Sequence, residues 1–328
     1  MFSASRRTFT LSTLLTLAAP RLAVSAISDP LPSWRDGAPK QTILDFVAKV
    51  TRPGPNFVDP ARRVATFDND GTLWVEHPIY TEASFSIDRA RQMAASDPSL
   101  KSQPGFAAAS SGSLDALTSL SQRDVVELVT ATHGGMTPDA FRALAVRWLA
   151  SARHPRFQRP YTSLAYRPQL ELLEYLRANG FKTFIVSGGG VEFMRTFTER
   201  VYGVPPEQVI GSSSKTSFQS KDASLLKTKE IRSIDDGSGK PENIELHIGR
   251  RPILAFGNSD GDVPMLEYVA AGSGPHLEML VHHDDAAREY AYDRDTRIGR
   301  LDKGLDEAAN RGWTVVSMKN DWATVFPV

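Results

Sequence analysis

Three short apolar runs, VATF at 64–67, KTFIVS at 182–187 and PILAFG at 252–257, each break off into polar or glycine-rich residues. Runs this short, mostly apolar and without strict alternation, suit strands covered on both faces, the situation of a parallel sheet. Helical patterns accompany them. PQLELLEYLRANGF carries Leu170, Leu173 and Leu176 on one face with Leu172 alongside, and Asn179-Gly180 supplies a C-terminal stop. VEFMRTFTERVYG, after the second run, reads as a helix ending at Gly203. The β-α-β order predicts an α/β fold built on a doubly wound, mostly parallel sheet.

The stretch between Asp68 and Ser187 is several times too long for one crossover helix, so an inserted domain is expected. TEASFSIDRARQMAAS, QRDVVELVTATHG and TPDAFRALAVRWLASAR read as its helices, the last opening on Thr137-Pro138-Asp139 with proline in the first turn. SQPGFAAASSGS (102–113) reads as a loop between them. The expected division is a leader at 1–26, the first part of the sheet domain at 27–78, a helical cap at 79–162 and the rest of the sheet domain at 163–328.

The leader is expected because Arg6 and Arg7 precede an apolar stretch, Leu11 to Pro20, about half as long as a membrane-spanning helix needs. SRRTFTL resembles a twin-arginine export signal, Arg21 suits that route, and Val24 and Ala26 fit cleavage near Ala26, which implies a periplasmic protein; the alternative is an uncleaved amphipathic start on a cytoplasmic one. No membrane span is expected in the mature chain. Lys plus Arg and Asp plus Glu both total 38, so no global field recruits nucleic acid or an anionic surface. Cysteine is absent, which excludes disulfides, thiolate chemistry and cysteine-ligated zinc. Partners must be read from local sites, and oligomeric state is not legible.

The most informative site is TFDNDGTLW at 66–74. Alternation along a strand that continues briefly past Phe67 puts Asp68 and Asp70 on one side, at the carboxyl end where open α/β sheets bind ligands. Gly71 allows a sharp turn and Thr72 can hydrogen-bond it. Two neighbouring carboxylates repel, so a shared proton or a cation is expected, and magnesium suits such hard oxygen ligands.

D-x-D-G-T after an apolar strand resembles the first motif of the haloacid dehalogenase superfamily, most of whose members are magnesium-dependent phosphatases. Three further motifs appear in order. FIVSGGG offers Ser187, then Gly188, Gly189 and Gly190, a hydroxyl with exposed backbone N–H groups ahead of a helix, which makes an anion site. GKPENI offers Lys240 as a compact charge for phosphate oxygens, with Lys215, Lys221, Lys227 and Lys229 as competitors. FGNSDGDVPML resembles the acidic fourth motif, most closely that of the phosphoserine-phosphatase-like branch. It departs from the pattern at Asn258, which stands where the family usually carries a metal-binding Asp, while Asp262 falls on the second acidic position. Asn258 can still coordinate through its amide oxygen, with less charge; the alternative is a ligand role for Asp260 or Asp262.

The resemblance covers the sheet domain and the position of the cap, and it implies a mechanism. Asp68 attacks phosphorus and forms an aspartyl-phosphate. Asp70 protonates the leaving oxygen and then deprotonates water. Asp68, Asp70 through its backbone carbonyl, Asn258 and Asp262 form the metal set, and Ser187, Gly188 and Lys240 hold the phosphoryl group. Asp70 argues against dehalogenation, because a halide leaving group needs no acid. The expected substrate is a small phosphomonoester; transfer to another alcohol, or phosphate binding without turnover, are the alternatives. Three further groups stay open. His282, His283, Asp284 and Asp285 are a second metal site, a solvated loop after a strand, or a border of the active site. Glu76 and His77 line the cleft or form a hinge. Trp74, Tyr80, Phe85 and Arg89 contact substrate or, for the aromatics, simply pack.

Overall fold

The computed structural model describes residues 29–327 together with Met1; the export-signal reading falls, Met1 apart, outside the described residues. Eight strands form one sheet: β1 Val64–Phe67, β2 Lys182–Gly190, β3 Val209–Gln219, β4 Ser224–Ser233, β5 Leu254–Gly257, β6 Leu277–Asp284, β7 Ala291–Tyr292 and β8 Thr314–Ser317. Their order is β4-β3-β2-β1-β5-β6-β7, with β8 also beside β6. β1 is central and buried at every residue, with Ala65 opposite Thr183 of β2 and Leu254 of β5. All neighbours run parallel except β4 on β3 and β7 on β6.

Alternation along the strands builds the two faces. Phe67, Ile185, Phe256 and Met279 point to one side, where Ile43, Phe46 and Val50 of the helix Ala38–Thr51 and Leu172, Leu173 and Leu176 of the helix Arg167–Ala178 cover them. Val186, Ala255 and Leu280 point to the other, under Ile244 of the helix Gly239–Ile248 and Met265, Leu266 and Val269 of the helix Val263–Ala270. The sheet is doubly wound, as the apolar runs predict. Among the described residues no helix is long and apolar enough to cross a membrane.

Between β1 and β2 lie the helices Thr81–Ser96, Pro104–Ser111, Leu114–Thr118, Gln122–His133 and Pro138–Ser151. The loop expected at 102–113 is therefore mostly a helix. Its small residues misled the reading: Pro104 starts it, Gly112 ends it with φ 75°, and Phe106 and Ala109 pack with Ile87 and Leu128 in a satellite core. The single helix expected after Ser187 is also corrected to two, Val191–Met194 and Thr198–Tyr202. Thr196 Oγ1 donates to the Phe193 carbonyl at 2.6 Å and Phe197 leaves helical geometry.

The sequence reading missed the β3–β4 hairpin. It leaves the sheet and closes on the helical segment, where Gly135 N donates to Lys227 O at 2.8 Å and Lys227 N to Met136 O at 2.9 Å. The hairpin and the inserted helices thus face each other above the carboxyl ends of β1 and β2.

Candidate active site

The turn after β1 is tight. Asp68 N still donates to Phe256 O at 2.9 Å, while Leu73 N returns to Asn69 O at 2.8 Å and Gly71 N to Trp74 O at 2.8 Å. Gly71 takes φ 74°, and a Cβ there would collide with Asn258 and Glu76, so the turn needs glycine for space as well as for conformation. Asp70 is fixed by Trp74, whose indole Nε1 donates to Oδ1 at 2.8 Å; the Trp74 ring is itself stacked on Phe197 with centroids 4.4 Å apart.

Lys240 reaches this turn from the start of its helix. Its Nζ donates to Asp68 Oδ1 at 2.8 Å, to Asp262 Oδ1 at 2.6 Å and to the Val186 carbonyl at 3.0 Å, which uses all the donors of a buried ammonium. Asp262 Oδ2 accepts from the Asn258 and Ser259 amides, both at 3.0 Å, so both oxygens of Asp262 are committed to Lys240 and the fourth-motif loop rather than to an open ligand position. Asp260 turns away and accepts from the amides of Asp302 and Gly304 at 3.0 and 2.8 Å. Asn258 Oδ1 accepts from Thr72 Oγ1 at 3.0 Å, and its Nδ2 donates to Glu76 Oε1 at 2.7 Å. Of the competing lysines, Lys227 is buried but pairs with Glu192 at 2.9 Å, and Lys215 pairs with Glu230 on the surface.

A cavity of about 400 Å³ opens onto Asp68, Asp70, Ser187, Gly188 and Lys240. Ser187 is buried, with its hydroxyl accepting from Gly189 N at 3.3 Å. Gly190 N, by contrast, donates to Glu82 Oε2 at 2.6 Å, so Glu82 of the inserted segment ties down the second-motif loop. Glu82 Oε1 meets His133 Nε2 at 3.1 Å. The sequence reading missed Glu82, His133 and Glu192, and named Lys227 only as a competitor of Lys240, because no motif marks these residues and their meeting depends on the hairpin closing over the helices.

The remaining candidates sort by what they touch. Tyr80 and Glu76 line the cavity. Phe85 packs edge-on against Phe141 and Trp148, and Arg89 Nε donates to the Thr132 carbonyl between two helices. His77 stacks near Tyr292, with centroids 3.8 Å apart, and meets the Ile298 carbonyl. The run 282–285 is not a solvated loop. β6 continues through Asp284, and buried His283 donates from Nε2 to the Gly71 carbonyl at 2.7 Å, with Glu289 at its other ring nitrogen. It braces the first-motif turn from behind. Nor is it a metal site: His282 pairs with Asp293, Asp284 accepts from Lys319 N and Asp285 pairs with Arg288, and among the described residues no group of three or more His, Asp or Glu side chains is arranged to hold an ion.

The electrostatics follow from burial without enough positive charge. Burial first and the charge of Asp262 second push Asp68 up to about 8, while Lys240 opposes them. Burial pushes Asp70 up to about 6; the hydrogen bond from Trp74 works against it and the charge of Glu82 adds to it. Burial works against the Lys240 charge, but Asp262 and Asp68 outweigh it and hold its pKa above the ordinary lysine range. Such an arrangement can present a carboxylate to an electrophile, hold a proton on a second one, and bind an anion beside an ammonium and backbone amides.

A family model described as haloacid dehalogenase-like hydrolase matches residues 65–267. Among solved structures, a functionally unknown protein from Anaerococcus prevotii DSM 20548 is 15% identical, covering 85% of this chain and 91% of its own, with a TM-score of 0.55. A protein of unknown function from Bordetella pertussis Tohama I is 17% identical over 78% of this chain and 98% of its own, with a TM-score of 0.51. These likenesses show the fold. No curated relative matches the chain in sequence.

Proposed function

The chain belongs to the haloacid dehalogenase-like hydrolases, and from that premise we propose that it is a magnesium-dependent phosphatase acting on a small phosphomonoester through an aspartyl-phosphate. The observation that carries this reading is the pairing of Asp68 with Lys240 at 2.8 Å while Asp70, held separately by Trp74, opens onto the same cavity. Lys240 favours the charged form of Asp68 against the burial that pushes it up to about 8, and burial keeps Asp70 protonatable; a bound cation would add to the ammonium in giving Asp68 the ionised state that attack requires.

Asp68 attacks phosphorus, and the bond from phosphorus to the leaving oxygen breaks. Asp70, pushed up to about 6, gives that oxygen its proton. It then takes a proton from water, which attacks the same phosphorus and frees Asp68 and phosphate. Ser187 and the Gly188 amide hold the phosphoryl oxygens as their charge redistributes, and Lys240, whose donors serve Asp68, Asp262 and the Val186 carbonyl, adds its positive charge beside them. Tying Gly190 to Glu82 keeps the second-motif loop in place during these steps.

The donor set fits magnesium: its atoms would all be oxygens, one of them on the Asp68 carboxylate, in a site with more carboxylates than Lys240 alone balances. Asp68, the Asp70 carbonyl and the Asn258 amide oxygen would hold the ion. When bound it supplies charge screening between the attacking carboxylate and the phosphoryl group.

Release of p-nitrophenol from p-nitrophenyl phosphate, with and without magnesium, tests the reading. Magnesium-stimulated release that disappears in Asp68→Asn is expected, and its absence refutes hydrolysis. The neutral Asn258 favours a second reading, phosphate binding without turnover; retained binding of inorganic phosphate with no release of product would select it.

A further inference from the structure

Asn258 removes a negative charge from the place where the family pattern has an acid, and the structure brings one back from elsewhere in the chain. Glu76, six residues beyond Asp70, is 2% exposed. Its Oε1 accepts from Asn258 Nδ2 at 2.7 Å and from the Tyr292 hydroxyl at 2.7 Å. Both donors are neutral, and among the described residues no lysine, arginine or histidine forms an ion pair with it. The carboxylate nevertheless lines the cavity that Asp68 and Asp70 line.

A buried carboxylate served only by neutral donors is costly unless something positive completes it. Of the two lysines that line the cavity, Lys240 is already shared by Asp68 and Asp262, and Lys227 pairs with Glu192. The approach of Glu76 is also built into the turn: a Cβ on Gly71 would occupy the space where the Glu76 carboxylate and the Asn258 amide meet. The amide is pinned at both ends, its oxygen accepting from Thr72 and its nitrogen donating to Glu76. Asn258 and Glu76 therefore form one hydrogen-bonded unit, the amide presenting oxygen on one side and the carboxyl group standing on the other.

We propose that Glu76 supplies the negative charge of the divalent-cation site that Asn258 lacks. This rests on the phosphatase reading only in placing a divalent cation beside Asp68.

Isothermal titration calorimetry with magnesium chloride tests it, independently of activity. Glu76→Gln is expected to weaken magnesium binding about 10- to 100-fold, the usual scale for losing a partner just outside the ligand set. Glu76→Gln combined with Asn258→Asp is expected to recover most of that loss, since the charge returns to the amide position. Asn258→Asp alone is expected to bind magnesium more tightly and to melt at a lower temperature in EDTA, because two carboxylates then meet where one did; this variant decides the matter should Glu76→Gln fail to fold. Wild-type affinity in Glu76→Gln, or no change in Asn258→Asp, overturns the proposal. Asp68→Asn separates it from the parent reading: loss of binding there with none in Glu76→Gln leaves a phosphatase whose metal site does not use Glu76. No magnesium binding by the wild type removes the proposal, and loss of p-nitrophenyl phosphate hydrolysis as well removes both.

Discussion

Two buried ion clusters border the same cavity and are built on opposite plans. At its floor, Lys240 is shared by Asp68 and Asp262, with Asp70 and Glu76 close by, so carboxylates outnumber cations. On its wall, groups pair one to one: Lys227 forms an ion pair with Glu192 at 2.9 Å, and His133 Nε2 meets Glu82 Oε1 at 3.1 Å. The wall comes from the inserted helices, the second-motif loop and the hairpin, and its pairs pin those parts together. The floor comes from strand ends and is left short of positive charge. The difference teaches that burial of charge serves two purposes here: paired groups fix how the inserted helices sit, and an unbalanced group is left to be neutralised by protons or by a cation.

Removing the shared ammonium should have the largest effect. Lys240→Met strands two buried carboxylates, and a loss of about 3–5 kcal/mol in urea unfolding is expected, from the cost of breaking a buried pair. Phosphatase turnover should fall at least about 10²- to 10³-fold, the scale of one preorganised donor. A stable, active variant would show that the floor is not organised around Lys240.

The matching change on the wall should be milder. Lys227→Met keeps the volume and leaves Glu192, whose side chain is 23% exposed, able to reach water through the cavity. A stability loss of roughly 1–2 kcal/mol is expected, with KM affected more than kcat, because the pair shapes the chamber without touching the reacting atoms. A wall variant as damaging to kcat as Lys240→Met would erase the contrast.

The smallest effect is a dependence on pH. Burial pushes Asp68 up to about 8 and Asp70 up to about 6 in the folded chain, both above the ordinary aspartate value of 3.8, so the folded protein keeps protons that the unfolded chain has released. Their contribution is complete below about pH 4 and is lost as pH rises through 6 and 8. Melting in EDTA should therefore fall in temperature between pH 5 and pH 8, less so in Asp70→Asn, and magnesium should restore more at pH 8 than at pH 5. A melting temperature that rises over that interval in EDTA would mean that the floor is balanced without a cation.

Strand-end residues were the most legible part of the site. Asp68, Ser187 and Asn258 each follow an apolar run, so reading the run places the residue at a sheet end, and a parallel sheet brings such ends together. The helix 104–111 was misread because glycine and serine signal loops locally, whereas Phe106 and Ala109 are held by a satellite core that only packing creates. For His283 the sequence left three readings open, and the border of the active site is the one its bond to the Gly71 carbonyl fits. Next to Asp284 and Asp285 it looks like part of a polar run, but the strand carries it under the first-motif turn.

The sequence by itself determined the doubly wound sheet, because hydrophobic periodicity is a property of neighbours along the chain, and it determined which acids, glycines and hydroxyls stand at strand ends. Only the tertiary structure decided how charge is shared among them: that Asp262 serves Lys240, that Trp74 holds Asp70, that Glu76 stands behind Asn258, and that the hairpin closes over the inserted helices. Those choices depend on distances between segments far apart along the chain, and electrostatic energy is set by separation and burial, neither of which the order of residues specifies.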